Sequence, residues 1–216
     1  IQYKIQKHPN GIAEGLILAE KFLNGSDLSL ILGDNIFYGK KINNLFLKAS
    51  KSKKNSIFVK EVPNPNNYGV IKQKNNVPEI IIEKPTKKIS KYAVTGFYFY
   101  SNKVIKFAKK LKPSKRNELE ITDLNNLLIK KKNLNVHKLN KGHYWHDAGN
   151  HVDYLKTCNS VKSFESKYNT LIGSLEYESY KKNNLSKKKI IKTIEKNNFY
   201  YEKLRNLLKW KYIKNF

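Results

Sequence analysis

Short apolar runs alternate with stretches of helical periodicity along the first part of the chain. Residues 1–6 alternate Ile, Tyr and Ile with Gln, Lys and Gln, which is typical of a strand. Apolar side chains then recur at helical spacing over residues 12–23, with Asn10 as the predicted N-cap. A second apolar run at residues 29–32 stops at Gly33. Strand, helix and strand in this order predict a parallel α/β sheet.

The same alternation continues through the middle of the chain. Further strands are predicted at residues 57–62, 68–71, 79–83, 93–100 and 134–139, and amphipathic helices at residues 102–111 and 118–130. The run at 93–100 is apolar or aromatic on both faces and is therefore expected in the middle of a covered sheet. The predicted fold is a Rossmann-like, mostly parallel α/β sheet covered by helices. We expect residues 1–159 to form this domain, incomplete at its N-terminus, and residues 160–216 to form a helical C-terminal extension packed on it.

Two acidic turns are the candidate sites of chemistry. Asp34 and Asn35 follow the run at 29–32, and ligands of open α/β sheets bind beyond the carboxyl ends of the strands. A carboxylate there suits Mg²⁺, which completes its shell with water and phosphate oxygens. Asp147 occupies a similar turn after a short strand. An Asx turn at Asp34 and a helix N-cap at Asp147 are the structural alternatives.

The composition is that of a globular protein of 216 residues, 39% hydrophobic and 12% aromatic, with one sizeable core. Its lone cysteine, Cys158, excludes an internal disulfide, fits a reducing compartment and is predicted to lie in the core. No apolar run reaches the length of a membrane span, so we expect a cytoplasmic protein without membrane partners. The chain begins at Ile1 and contains no Met, which predicts a fragment that has lost its N-terminus.

A formal net charge of +26 raises the question of a nucleic-acid partner. Only Arg116 and Arg205 of the 43 basic residues are arginine, however, whereas base readout and bidentate phosphate contacts favour arginine. The joint abundance of Lys, Asn and Ile is that of an AT-rich genome. Because no recognition motif accompanies the charge, nucleic acid is disfavoured as a partner.

Seven segments stand out in order along the chain: residues 1–6 with Pro9 and Gly11, 32–39, 68–70, 83–85, 92–96, 118–123, and Trp145 with Asp147 and Gly149. Together they resemble the bacterial glucose-1-phosphate thymidylyltransferases of the sugar nucleotidyltransferase superfamily, over residues 1 to about 201. The Glu-Leu-Glu-Ile-Thr-Asp segment at 118–123 is the most particular to the thymidylyl branch. Ala148 departs from the threonine usual in that family.

The resemblance implies the fold of the nucleotide-diphospho-sugar transferases, truncated at the N-terminus. It also implies a reaction in which glucose 1-phosphate attacks the α-phosphate of dTTP and pyrophosphate leaves, for dTDP-rhamnose and cell-surface polysaccharide synthesis. Asp34 and Asp147 would ligate a Mg²⁺ cofactor, and the enzyme would be a homo-oligomer, a tetramer by resemblance.

The resemblance also assigns binding residues. Gln6, Gly11 and Ile12 are expected at the nucleotide, where an amide offers both a donor and an acceptor to the thymine imide. The sugar-phosphate residues are expected to be Asn35, Tyr68, Gly69, Glu83, Lys84, Val94 and Trp145. A carboxylate accepts sugar hydroxyls and an ammonium neutralises phosphate, so Glu83 and Lys84 would serve both ends of one ligand. The alternative for this pair is a role as surface charges.

Two other functions remain open at this point. The family carries a glycine-rich loop with an arginine and a lysine before the position of Ile1, and a chain without it is expected to be inactive. A non-catalytic sugar-nucleotide binding remnant is therefore one alternative, which the reading frame upstream of Ile1 would test. A basic nucleic-acid binder is the other, and it would lose affinity steeply with salt.

Overall fold

The structure, a computed structural model, describes residues 1–193 and 199–209, which separate into two compact units, Ile1–Trp145 and His146–Phe216. The predicted boundary after residue 159 falls inside a helix and stays a prediction; residues 194–198 and 210–216 of the predicted extension lie outside the described residues. Within the described ranges, none of the helices is both long enough and apolar enough to cross a bilayer.

The first unit contains both helices and strands, which alternate only in part. Its helices are α1 (Ile12–Leu18), α2 (Glu20–Leu23), α3 (Ile42–Ser50), α4 (Val104–Ala108) and α5 (Ile121–Lys130), with a 3₁₀ turn at Pro65–Asn67. Its strands are β1 (Leu28–Ile31), β2 (Asn35–Gly39), β3 (Asn55–Glu61), β4 (Gly69–Lys74), β5 (Val77–Glu83), β6 (Tyr92–Tyr100) and β7 (Leu134–Leu139), followed by β8 (His143–Asp147) at the unit boundary. The second unit contains α6 (His151–Tyr168), α7 (Leu175–Lys181), α8 (Lys187–Thr193) and α9 (Phe199–Lys209).

The main sheet has the order β5-β4-β6-β3-β7, and β1 also pairs with β6. The predicted α/β class and the central position of residues 93–100 are confirmed. Strand directions are more mixed than the sequence pattern indicated. β3 and β7 are parallel, whereas β6 runs antiparallel to β1, β3 and β4. The connection from β5 to β6 contains no helix of the kind that parallel crossovers use, so β6 enters between β4 and β3 in the opposite direction.

Strand β3 is covered on both faces because its successive side chains point to opposite sides of the sheet. Ile57 and Val59 join the larger core cluster with residues of α1, α4 and α5, and Phe58 joins an aromatic cluster with Phe46 and Phe97 on the other face. All three β3 side chains are fully buried. The core of the first unit therefore lies on both sides of the central strands.

Residues 1–6 adopt no regular secondary structure, so the strand predicted there was wrong. Ile1, Tyr3 and Ile5, the apolar positions of that pattern, are exposed. A strand is stabilised by hydrogen bonds and packing from a neighbour, and no strand in the described part of the chain lies beside this segment.

Two further predictions need correction. The N-cap of α1 is Gly11, at φ 97°, and the Asn10 side chain instead donates to Glu14 Oε1 at 2.9 Å. Cys158 is exposed rather than in the core, because α6 buries only its neighbour Thr157. One residue turns a helix by about 100°, which is enough to bring the next side chain out of the core.

Asn126 of α5 covers the backbone of the edge strand β5. Its Oδ1 accepts a hydrogen bond from the Ile81 N–H at 2.8 Å, and its Nδ2 donates to the Ile81 carbonyl at 2.8 Å. Among the described strands, none lies beyond β5, so this amide takes the place of a neighbouring strand.

Asn126→Ala is expected to destabilise the protein, because the two Ile81 backbone groups lose their partner in a half-buried position. An unsatisfied buried group costs about 1–3 kcal/mol, which urea denaturation would detect as a lower free energy of unfolding. Lys130→Ala, on the exposed face of the same helix, is the matched control. Equal stability of the two variants would contradict this role of Asn126.

Candidate active site

A tight turn between β1 and β2 carries Asp34. The Leu32 N–H donates to the Gly96 carbonyl of β6 at 2.9 Å, and the Asn35 N–H donates back to the Leu32 carbonyl at 3.1 Å. Asp34 is exposed at the tip, whereas Asn35 is buried. The glycine that ends the apolar run therefore places a carboxylate at the end of the strand, as the sequence predicted.

The Asn35 side chain connects three elements of the site. Its Oδ1 accepts from the Gly96 N–H at 3.0 Å and from Trp145 Nε1 at 2.6 Å, and its Nδ2 donates to Asp34 Oδ1 at 2.8 Å. Both groups facing Oδ1 can only donate, so the orientation of the amide is fixed. Asn35 thus holds the carboxylate of Asp34 in one direction.

Trp145 extends this connection to the β4-β5 hairpin. Its ring contacts that of Tyr68 edge-on, with centroids 5.1 Å apart, and the Tyr68 carbonyl accepts from the Lys84 N–H at 3.0 Å. Gly69, the residue after Tyr68, is paired with Glu83 in the β4-β5 ladder.

A series of contacts therefore connects Asn35 and Asp34 with five other predicted positions. These are Trp145, Tyr68, Gly69, Glu83 and Lys84. Val94 lies in β6, two residues before Gly96, and its side chain packs against the larger core cluster.

Glu83 has two partners that sequence reasoning did not assign to the site. The Thr122 hydroxyl donates to Glu83 Oε2 at 2.6 Å, and Arg116 Nη2 lies 3.9 Å from Glu83 Oε1. Arg116 also makes a forked pair with Glu120, with Nε–Oε1 and Nη2–Oε2 distances of 3.1 and 2.8 Å. Burial opposes ionisation of Glu120, but hydrogen bonds from Arg116 and Ser114 outweigh it and lower the pKa of Glu120.

The sequence contained a signal for Arg116 and Thr122, the two partners of Glu83. Arg116 is one of two arginines in a lysine-rich chain and lies two residues before the 118–123 segment. Thr122 is the second residue of α5, so one segment both begins the helix and presents a hydroxyl to Glu83.

The predicted nucleotide residues lie at the start of α1. Gln6 is exposed, and its Nε2 donates to the Gly11 carbonyl at 3.1 Å and to Glu14 Oε2 at 2.5 Å. Ile12 begins α1 and is partly exposed.

Gly11 lies directly against the backbone of Leu119. A Cβ added at Gly11 would lie 2.5 Å from the Leu119 carbonyl oxygen and 2.7 Å from its nitrogen. The Leu119 N–H donates to the Asn10 carbonyl at 2.6 Å, and the Leu119 carbonyl accepts from the Ala13 N–H at 3.1 Å. The 118–122 segment is therefore bonded to the Gly11 region at one end and to Glu83, through Thr122, at the other.

Asp147 ends β8, and its Oδ1 accepts a hydrogen bond from the Gly149 N–H at 3.0 Å. The N-cap of the following helix α6 is Asn150, whose side chain accepts from the Asp153 N–H at 2.9 Å. The helix-cap alternative for Asp147 is thereby excluded. Asp34 belongs to the first compact unit and Asp147 to the second.

Carboxylate oxygens are the ligands that Mg²⁺ prefers, and one or two of them suffice when phosphate and water complete the shell. The exposed Asp34, oriented by Asn35, fits that requirement. Among residues 1–193 and 199–209, no cluster of three or more His, Cys, Asp or Glu side chains could hold a metal by itself.

Comparison with known proteins identifies relatives along most of the chain. The nucleotidyl transferase family matches residues 1–163. Glucose-1-phosphate thymidylyltransferase of Neisseria meningitidis serogroup A is 36% identical over 214 residues, which cover 97% of this chain and 74% of that protein. The enzyme of the same name from Xanthomonas campestris pv. campestris is 37% identical over 167 residues, covering 76% of this chain and 57% of the relative.

Solved structures show the same similarity. A Bacillus anthracis protein assigned as a glucose-1-phosphate thymidylyltransferase, in complex with sucrose, superposes with a TM-score of 0.64 at 37% identity. That match covers 74% of this chain and 63% of the Bacillus anthracis chain. A UDP-glucose pyrophosphorylase complexed with UDP-glucose has a TM-score of 0.65 at 21% identity, which supports the fold alone.

Proposed function

Because this chain belongs to the nucleotidyl transferase family, we propose that it transfers a thymidylyl group from dTTP to glucose 1-phosphate, giving dTDP-glucose and pyrophosphate. The observation that carries the proposal is the line of contacts from Asp34 through Asn35 and Trp145 to the Tyr68–Lys84 connection. These contacts connect Asp34, whose carboxylate suits a metal, with Glu83 and Lys84, whose carboxylate and ammonium suit a sugar phosphate. The names of the relatives favour this enzyme over a non-catalytic remnant or a nucleic-acid binder.

At the sugar phosphate, we assign complementary roles to adjacent residues. Glu83 accepts hydrogen bonds from sugar hydroxyls, and its Thr122 contact fixes the direction of one carboxylate oxygen. Lys84 neutralises the phosphate of the hexose phosphate. We propose that Asn35, Tyr68, Gly69, Val94 and Trp145 also belong to the sugar-phosphate site. Because the proposed reaction forms no covalent enzyme intermediate, these groups act by positioning the attacking phosphate.

At the nucleotide, Gln6 meets the thymine edge, and Gly11 and Ile12 cover the base. Asp34 and Asp147 are proposed to hold Mg²⁺, which when bound neutralises phosphate charge that develops during transfer. Asn35 contributes by keeping the Asp34 carboxylate in one orientation, so that no reorganisation is needed at the moment of reaction.

The remaining proposals concern the setting of the enzyme. We place it in the cytoplasm, as a homo-oligomer, in the supply of dTDP-glucose for deoxysugar and cell-surface polysaccharide synthesis. The resemblance implies a tetramer. Light scattering would test this by measuring the molar mass of the protein produced from the longest natural reading frame that contains this chain.

Substrate selectivity tests the proposed function directly. With glucose 1-phosphate and Mg²⁺, pyrophosphate release is expected with dTTP and is not expected with ATP or GTP, because a purine does not fit the Gln6 and Gly11 edge. UTP is expected to be a poorer substrate, since a missing methyl group discriminates by about 1–3 kcal/mol. The assay uses the longest natural reading frame that contains this chain. Equal turnover of dTTP and ATP would refute the assignment, and DNA binding that weakens steeply with salt would favour the basic-binder alternative.

A further inference from the structure

The Gln6 side chain is held by two groups that only accept hydrogen bonds. Its Nε2 donates to the Gly11 carbonyl at 3.1 Å and to Glu14 Oε2 at 2.5 Å. A carbonyl and an ionised carboxylate have no proton to give, so the amide nitrogen, which carries two hydrogens, must lie between them. The orientation of the amide is therefore set by its surroundings, and Oε1 points away from both partners.

Glu14 is itself fixed in place. Its Oε1 accepts from Asn10 Nδ2 at 2.9 Å, and its backbone N–H begins the first turn of α1 by donating to the Gly11 carbonyl at 3.3 Å. The hydrogen bonds from Asn10 and Gln6 lower the pKa of Glu14, so the carboxylate is ionised at neutral pH. The start of α1 is in turn bonded to Leu119 through Asn10 and Ala13.

We propose that Glu14 is a base-selectivity residue, which acts by fixing the Gln6 amide so that Oε1 alone meets the base. This inference rests on the proposed function, which places Gln6 at the base edge. Both hydrogens of Nε2 are used within the protein, so the edge offered to the nucleotide is a single acceptor rather than the donor and acceptor expected from the sequence. Thymine and uracil carry a ring N3–H that donates to such an acceptor. Cytosine presents a lone pair at N3, which is repelled there.

The Glu14→Gln variant tests this role because it keeps the size of the side chain and adds a donor. A neutral amide at position 14 can face Gln6 with either its oxygen or its nitrogen, so only the Gly11 carbonyl still selects the orientation of the Gln6 amide, and the flipped orientation becomes less unfavourable. The KM for dTTP is expected to rise about threefold to tenfold with kcat retained, since one base contact is weakened equally in the ground and transition states. The ratio of kcat/KM for dCTP to that for dTTP is expected to rise about tenfold.

Glu20→Gln is the matched control. Glu20 lies in α2, and its carboxylate is paired with Lys109 at 2.6 Å. This variant is expected to leave the dCTP to dTTP ratio unchanged. An unchanged ratio in Glu14→Gln, in a protein that still uses dTTP, would overturn the role of Glu14 and leave the proposed function intact. These assays use the protein from the longest natural reading frame that contains this chain, and no turnover and no calorimetric binding of dTTP by that protein would instead refute the proposed function.

A Gln6→Ala background separates selectivity from a structural role. If Glu14 acts only through the Gln6 amide, Glu14→Gln is expected to change neither the KM for dTTP nor the dCTP to dTTP ratio in that background. A further rise in KM there would show that Glu14 supports the start of α1 in some other way. As a direct probe of the acceptor, N3-methyl-dTTP, which lacks the N3–H, is expected to be refused by the unaltered protein. Turnover of this analogue equal to that of dTTP would also overturn the inference.

Discussion

Replacing Asp34 by Asn is expected to lower kcat about a thousandfold with dTTP, because metal-assisted charge stabilisation is worth several kcal/mol in the transition state. The substitution keeps the size of the side chain and an oxygen that can still accept from Asn35 Nδ2. Asp34 is exposed, so the free energy of unfolding is expected to stay the same. Steady-state kinetics should show the loss in kcat more than in KM, and calorimetry should still detect dTTP binding through the Gln6 region.

Asp147→Asn is expected to have the same effect on kcat if both carboxylates serve one ion. The matched control is Asp27→Asn, since Asp27 precedes the strand β1 that Asp34 follows, and its Oδ1 accepts a backbone hydrogen bond from Asn102 at 3.0 Å. An asparagine at position 27 keeps that acceptor and should leave kcat unchanged. Turnover of the Asp34→Asn variant equal to that of the unaltered protein would show that the chemistry lies elsewhere.

Local patterns were sufficient for the elements that carry the site. The aromatic and apolar residues on both faces of residues 93–100 predicted a central strand, and β6 is that strand. The apolar run ending at Gly33 predicted the exposed carboxylate of Asp34. In the first case the signal is burial on both faces of the strand, and in the second it is the end of an apolar run at a glycine. The sequence records both within a few residues.

Contacts between residues that are distant in the sequence could not be predicted from local patterns. Asn35 is hydrogen-bonded to Gly96 and Trp145, which lie 61 and 110 positions away along the chain. No periodicity near Asn35 indicates these two partners. The direction of β6 depends equally on how separate segments pair. Residues 1–6 show the opposite case, in which a clear alternating pattern forms no strand because strand formation needs a neighbour as well as a pattern.

Gly11→Ala is expected to weaken both substrate sites at once. Gly11 has φ 97°, a conformation that costs a residue with a side chain about 1–3 kcal/mol. The added Cβ would also lie 2.5–2.9 Å from three backbone atoms of Leu119, which cannot move away as a flexible side chain could. The free energy of unfolding should fall by more than the conformational term alone, as measured by urea denaturation.

The consequence for substrate binding follows from the segment that must move. Leu119 lies between the Gly11 region, to which its backbone is bonded, and Thr122, which donates to Glu83. Displacing this segment is expected to raise the KM for dTTP and for glucose 1-phosphate together. Gly15→Ala is the matched control in α1: a Cβ there meets nothing within 4 Å, and alanine is the better helix former by up to about 1 kcal/mol. The Gly15→Ala variant should gain stability with both KM values unchanged. If Gly11→Ala raised the KM for dTTP but not that for glucose 1-phosphate, the proposed link between the two sites through residues 118–122 would be contradicted.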